Sequence, residues 1–183
     1  FAQSAYVAAG VGADVFRPGR VEVRGADDWS AAGEAVAVSA RIGTAVTDRW
    51  GVEFEFTRAG DIEREIQRGL PVPLLTRQAL PLFESTIHLT RRNSTLDAVA
   101  WVAQPLSSRV DLVYVGGVAF TRAVEEMAFE LTRRAALAPI VVPSSIRTTT
   151  YGAGPVAGLE ARVQLPARTI LIPGVRLHGV GGD

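Results

Sequence analysis

Apolar and polar side chains alternate with a period of two through long stretches of this chain, the spacing that sends neighbours to opposite faces of a strand. In residues 39–57, SARIGTAVTDRWGVEFEFT, the positions Trp50, Val52, Phe54 and Phe56 share one face, while Gly51, Glu53, Glu55 and Thr57 share the other. Just before them Val36, Val38, Ala40 and Ile42 fall opposite Ser39, Arg41 and Gly43. A turn of a few residues joins the two runs, so the pattern predicts a β-hairpin with one oily face. Residues 96–120 and 156–179 repeat the arrangement, with short polar or Pro-containing turns ending at Arg49, Arg109 and Arg168. Tyr6 to Phe16 supplies one more alternating run, so seven strands are visible. The intervening segments 17–33, 58 to about 90 and 122 to about 147 read as long loops. Ile62, Ile66 and Leu70 in the second have spacing that suits a short helix or an extended strand tip. Every short turn then lies at one end of the sheet and every long loop at the other.

Alternation fits both a soluble barrel, oily inside, and a membrane barrel with the reverse arrangement. The make-up of the polar face favours the second. It is mostly small, including Ala8, Gly10, Gly12, Ala37, Ser39, Gly43, Gly51, Gly117 and Gly158, with scattered charges of both signs: Asp14, Arg41, Glu53, Glu55, Asp97, Glu160, Arg162 and Arg176. Side chains converging in a narrow lumen need such small neighbours, whereas a solvated face carries dense long charged residues. The eight charged residues are therefore expected to form a lumenal ion-pair network. A turn centred near Thr47 and Asp48 places Arg41 across from Glu53 or Glu55. A turn around Pro166 and Ala167 places Arg176 opposite Gly158 and diagonal to Glu160. Val36, Val38, Ile42, Trp50, Val52, Phe54 and Phe56 are the expected lipid-facing residues. The register that takes Asp97 inside takes Trp101 with it, and Pro155 and Pro173 are expected to mark bulges or kinks.

Composition narrows the classes further. The 183 residues suit a single domain, 1–183. Charge is balanced at 19 basic and 19 acidic residues, so no bulk field draws the chain to nucleic acid. All the basic residues are Arg, and the absence of Cys excludes disulfides and thiolate chemistry. No apolar run is long enough for a membrane-crossing helix, although a barrel strand needs only about 9 to 11 alternating residues. The chain opens at Phe1 without a signal-like segment, which suggests a form from which the signal peptide has been removed.

The hairpins, the asymmetric connections and phrases such as VGADVF, RIGTAVTDRWGVEFEFT, QPLSSRVDLVYVGGVAF and GAGPVAGLEARV together resemble the small outer-membrane β-barrel family of Gram-negative bacteria, in its eight-stranded up-and-down branch. The resemblance implies an all-β antiparallel transmembrane barrel in the outer membrane, short periplasmic turns and long extracellular loops. It also implies contact with outer-membrane lipids, lipopolysaccharide among them. Such a barrel closes its last strand on its first. Here the seventh strand is followed by HGVGGD, so the closing strand is expected to lie beyond Asp183.

Catalytic and metal-binding patterns are thin. Ser85 and His88 fall on opposite faces of an extended strand, which opposes a direct nucleophile and base pair, and His178 reads as a loop histidine. Asp27 and Asp28 fall short of an oxygen-ligand loop. The glycines of GVGAD and GVGGD lead into no phosphate-binding helix. Arg91 and Arg92, or Arg133 and Arg134, would reach lipopolysaccharide phosphates if they lie at the outer rim. The expected function is a non-enzymatic, structural or surface-exposed outer-membrane barrel, porin-like in architecture but filled by side chains, without cofactor or metal. A soluble lipocalin-like binding barrel and a lipid-modifying barrel enzyme are the alternatives.

Overall fold

A computed structural model describes residues 5–16, 33–70, 83–133, 141–166 and 169–179. They form an all-β antiparallel sheet of eight segments: β1 (Ala5–Phe16), β2 (Gly33–Ala45), β3 (Trp50–Leu70), β4 (Phe83–Pro105), β5 (Val110–Arg133), β6 (Val141–Leu165), β7 (Thr169–Leu171) and β8 (Gly174–His178). Each of β1 to β6 pairs with the next in chain order, and both β7 and β8 pair with β6. The pairs Val163–Leu171 and Glu160–Gly174 keep one register, and Ala161 N–H donates to the Pro173 carbonyl across the gap at 2.8 Å. β7 and β8 are thus one strand interrupted at Pro173, which has no amide proton to give. Pro155, by contrast, sits in continuous pairing with Val118 and produces no register break. Pro173 interrupts its strand without shifting the register, and neither proline marks a register-shifting bulge.

The two described short turns are built alike. In the first, Val46 and Thr47 amides donate to the Trp50 carbonyl at 2.9 and 3.0 Å, and the Thr47 hydroxyl accepts from the Arg49 and Trp50 amides. In the second, Leu106 and Ser107 amides donate to the Val110 carbonyl at 2.9 and 3.1 Å, and Ser107 Oγ accepts from the Arg109 amide. A hydroxyl at the second turn position thus stands in for a backbone acceptor and closes each hairpin tightly. Residues 167 and 168 of the third turn lie outside the described residues.

At the other end the strands run much further than the alternating pattern indicated. β3 continues to Leu70, β4 begins at Phe83, β5 continues to Arg133 and β6 begins at Val141. Much of 58–90 and 122–147 is paired strand rather than loop, and no helix forms in 62–70. A bulge between Arg58 and Asp61 adds one residue to β3 and reverses its parity. Ala59 and Ile62 consequently both point inward, at 3% and 5% exposure.

The sheet curls on itself. Counting through β6, β8 lies four strands from β3, about 19 Å if the sheet were flat, yet Arg176 on β8 contacts Glu53 on β3 at 2.5 Å. Arg162 on β6 similarly reaches the Tyr6 hydroxyl on β1 at 3.2 Å. The concave side encloses one interior, and β1 and β8 are not backbone-paired among the described residues. The turn end of that interior is apolar: Val99, Trp101, Ala103, Val113, Val115, Ala119 and Val156 pack together, with Tyr6 and Ala45 against them. Gly51 is the cross-strand neighbour of Trp101, and a Cβ there would stand 2.5 Å from the indole Cζ2. Its missing side chain is what lets the indole lie inward.

Candidate functional site

Above the apolar layer the interior is ionic. The parity of β2, β3, β4, β6 and β8 turns Arg41, Glu53, Glu55, Asp97, Glu160 and Arg176 to the same side, and the curl brings them into one cluster. Glu53, Asp97 and Glu160 are 2% exposed or less and Glu55 is 4%. Carboxylates that deep must be paired, because isolated burial of a charge is very costly.

Arg176 is the hub. Its Nη2 donates to Glu53 Oε1 at 2.5 Å, its Nε donates to Glu160 Oε1 at 2.8 Å, and its Nη1 lies 2.5 Å from Glu55 Oε2 and 3.7 Å from Asp97 Oδ2. The Nη1 contact with Glu55 is close but off-axis. Neither atom gains a hydrogen bond from it, so its attraction is Coulombic. Arg41 supplies the second guanidinium, 3.0 Å from Glu55 and 2.9 Å from Glu160, with Glu53 at 3.8 Å. Space for the hub comes from Gly158, directly across from Arg176, where a Cβ would stand 2.9 Å from Arg176 Cγ.

The remaining two charges of the expected network sit at its margins. Asp14 accepts from Asn93 Nδ2 at 3.5 Å and makes no ion pair with the cluster among the described residues. Arg162 likewise makes no ion pair there: its guanidinium lies 3.9 Å from the Trp101 ring centroid and donates to Tyr6 Oη, which in turn donates to Glu53 Oε2 at 2.6 Å. The desolvated indole face thus serves Arg162 in place of a carboxylate.

Three participants were not legible as such in the sequence. Trp101 is expected on the inner face, but nothing in the sequence marks it or Tyr6 as a partner of Arg162. His178 is a correction: it belongs to β8 rather than to a loop, and its Nε2 lies 3.0 Å from Asp97 Oδ2. Its parity with Arg176, two residues earlier on the same strand, was the available signal. Further along the interior Arg91 pairs with Glu125 and stacks 3.5 Å from the Phe16 centroid. Arg92 points the other way and holds Asp61 through two 2.6 Å hydrogen bonds on the convex face.

That convex face is apolar. Val36, Val38, Ile42, Trp50, Val52, Phe54 and Phe56 are all exposed, and so are Val7 and Val11 on β1, Leu96 and Val102 on β4, Tyr114, Val118 and Phe120 on β5, Leu159 on β6 and Leu177 on β8. Phe56, Leu96 and Phe120 share one cross-strand row, and the next outward-facing row carries Arg58, Ser94 and Arg122. The two phenylalanines therefore mark the end of the apolar belt rather than the end of their strands, which continue past it. His88 is exposed on β4, Ser85 lies in the same strand, Arg133 ends β5, and Asp27, Asp28 and Arg134 lie outside the described residues. Among the described residues no group of acidic and histidine side chains has the arrangement of a metal site.

No family model and no curated protein matches the chain. Among solved structures it is similar to Ail, the attachment invasion locus protein of Yersinia pestis, crystallised in complex with the heparin analogue sucrose octasulfate. The two share 12% identity over 96% of this chain and 99% of that one, with a TM-score of 0.34, a likeness too slight to carry argument.

Proposed function

We propose that this chain is a non-enzymatic outer-membrane β-barrel protein of a Gram-negative bacterium, structural or surface-exposed, with an interior closed by its own side chains. One observation carries the reading: the polarity of the sheet is inverted. Four nearly inaccessible carboxylates lie inside, while Val7 at 80%, Val11 at 79% and Leu177 at 71% exposure lie outside together with the aromatic residues of β3 and β5. Soluble proteins rarely expose a continuous apolar surface of more than a few hundred Å². A lipid bilayer turns the same surface into the favourable side of the fold.

The height of the belt is compatible with that solvent. From Val7 to Val15 the outward valines of β1 span about 26 Å along the strand, or about 20 Å of bilayer depth at a typical barrel tilt. No helix among the described residues is long and apolar enough to cross a membrane. The ion cluster and the Trp101 layer support a filled lumen, as expected for a small barrel.

Cell fractionation with an alkaline wash, followed by planar-bilayer recording, tests the proposal. The protein is expected in the washed outer-membrane fraction, without stepwise conductance. Recovery as a monodisperse soluble protein would support the lipocalin-like alternative, and stable ion steps would refute the closed interior.

A further inference from the structure

The two inward side chains of β8 serve different carboxylates. Arg176 and Arg41 are shared among Glu53, Glu55 and Glu160, each of which lies within 3.0 Å of at least one guanidinium. Asp97 is left out of that sharing. It is 2% exposed, Arg176 Nη1 stands off at 3.7 Å, and its Oδ1 has no hydrogen-bond partner among the described residues. Its close partner is His178, whose Nε2 lies 3.0 Å from Asp97 Oδ2. The imidazole is 31% exposed at the side chain and can exchange a proton with water, whereas the carboxylate is sealed in. The charged groups facing the ring are Asp97 from β4, Asp14 from β1 and Arg176 on its own strand. Its cross-strand neighbour on β6 is the uncharged Val156.

We propose that His178 and Asp97 form a pH-operated latch: the imidazolium pins the end of β8 to β4 across the interior, and loss of its proton frees that end while the Arg176 hub stays closed. The latch does not depend on the membrane reading, since both groups lie inside whatever solvates the convex face. An imidazolium neutralises Asp97. A neutral ring still donates one N–H but leaves a buried carboxylate uncompensated. The attraction is therefore present on the acid side of the imidazole titration and lost as pH rises through it. Arg176 keeps its charge throughout that range, so the hub is unaffected. The strand end responds because little else holds it. Five residues of β8 pair with β6, and beyond them the Gly179 amide donates to the Pro155 carbonyl at 2.8 Å.

The chain has no cysteine and two histidines, so the latch can be addressed singly. Spin labels on L96C/L177C, at two exposed positions of β4 and β8, report the distance across the convex face by double electron–electron resonance. The full chain is measured both in lipid vesicles and in detergent micelles. Between about pH 5.5 and about pH 8.5 the displaced population is expected to rise about tenfold or more, what one charge-assisted hydrogen bond is worth. Its midpoint should equal that of the His178 ring by NMR. H178Q is expected to show the displaced distribution at both ends of the range and H178R the narrow one at both, while H88Q, on the exposed face of β4, should behave as wild type. A wild-type distribution unchanged with pH, or a transition that survives in H178Q, would overturn the latch. The wild-type titration stands without any change at position 178, so misfolding of a variant does not remove the test. Failure to insert into vesicles would count against the membrane reading, and the titration in micelles would still decide the latch.

Discussion

Replacing Arg176 by Ala removes one guanidinium from contact with four carboxylates, each 5% exposed or less at the side chain, while Arg176 itself is 8% exposed. At 2.5 to 2.8 Å and an effective dielectric near 20, each close pair represents about 6 kcal/mol of gross attraction. Desolvation offsets most of that, but the substitution does not refund it, because the carboxylates stay buried. Arg41 remains against Glu53, Glu55 and Glu160, and His178 against Asp97, so the deficit is partial. The expected loss is about 3–5 kcal/mol, the range for orphaning a buried charge. Reversible urea unfolding from lipid vesicles, followed by tryptophan fluorescence, measures it. R176K should recover part of the loss only, since one ammonium does not reproduce the contacts of Nε, Nη1 and Nη2. Adding E53Q to R176M should cost less than the two single changes together, by about 0.5–3 kcal/mol. An R176A protein within about 0.5 kcal/mol of wild type would refute the cluster as an energetic unit.

Two further outcomes follow from close contacts. Gly43 lies across from Tyr6, and a Cβ there would stand 2.6 Å from the phenol oxygen. Gly43→Val should displace the ring, detach the hydroxyl from Glu53 and cost about 1–3 kcal/mol in the same unfolding assay. On the convex face the hydrogen bonds from Arg92 hold the Asp61 carboxyl below the ordinary carboxylate range. A carboxyl lowered in this way contributes above its unfolded pKa of about 3.9 and loses that contribution as pH falls through the folded value. The pair is therefore expected to open at a lower pH than an unpaired carboxyl protonates, visible as a lowered titration midpoint for Asp61 by NMR. Because the pair is exposed, Asp61→Asn should leave the unfolding midpoint unmoved.

The two faces were readable because a strand has period two, and any run of seven or eight residues with Gly51, Glu53 and Glu55 against Val52, Phe54 and Phe56 fixes both. Local register was readable to within one step: a short turn after Ala45 leaves Arg41 across from Glu53 or Glu55, and the pairing selects Glu55. What lay beyond reach depends on curvature. The barrel reading puts Arg176 and Glu53 in one interior, but nothing in their spacing, 123 residues apart, indicates that these two groups pair with each other. His178 looked like a loop residue because Gly179 and the glycines after it dilute the pattern, although its step from Arg176 already aimed it inward. The strand tips were hidden for another reason. Past Phe56 and Phe120 the outward positions become charged, so the amphipathic contrast fades while the backbone pairing goes on. At Ile62 and Ile66 the spacing of four residues belongs to both the helical and the strand pattern, and the bulge after Arg58 removed the continuity that would have decided between them.

Depth-dependent quenching by brominated lipid tests the inverted polarity most directly, because the chain carries a natural reporter on each face. Trp50 is 42% exposed on the convex face and Trp101 is 4% exposed in the interior. In variants with Phe at the other two tryptophan positions, including Trp29, the account predicts strong quenching of the Trp50 protein and little of the Trp101 protein in the same vesicles. Quenching of Trp101 with protection of Trp50, or quenching of neither, would contradict it.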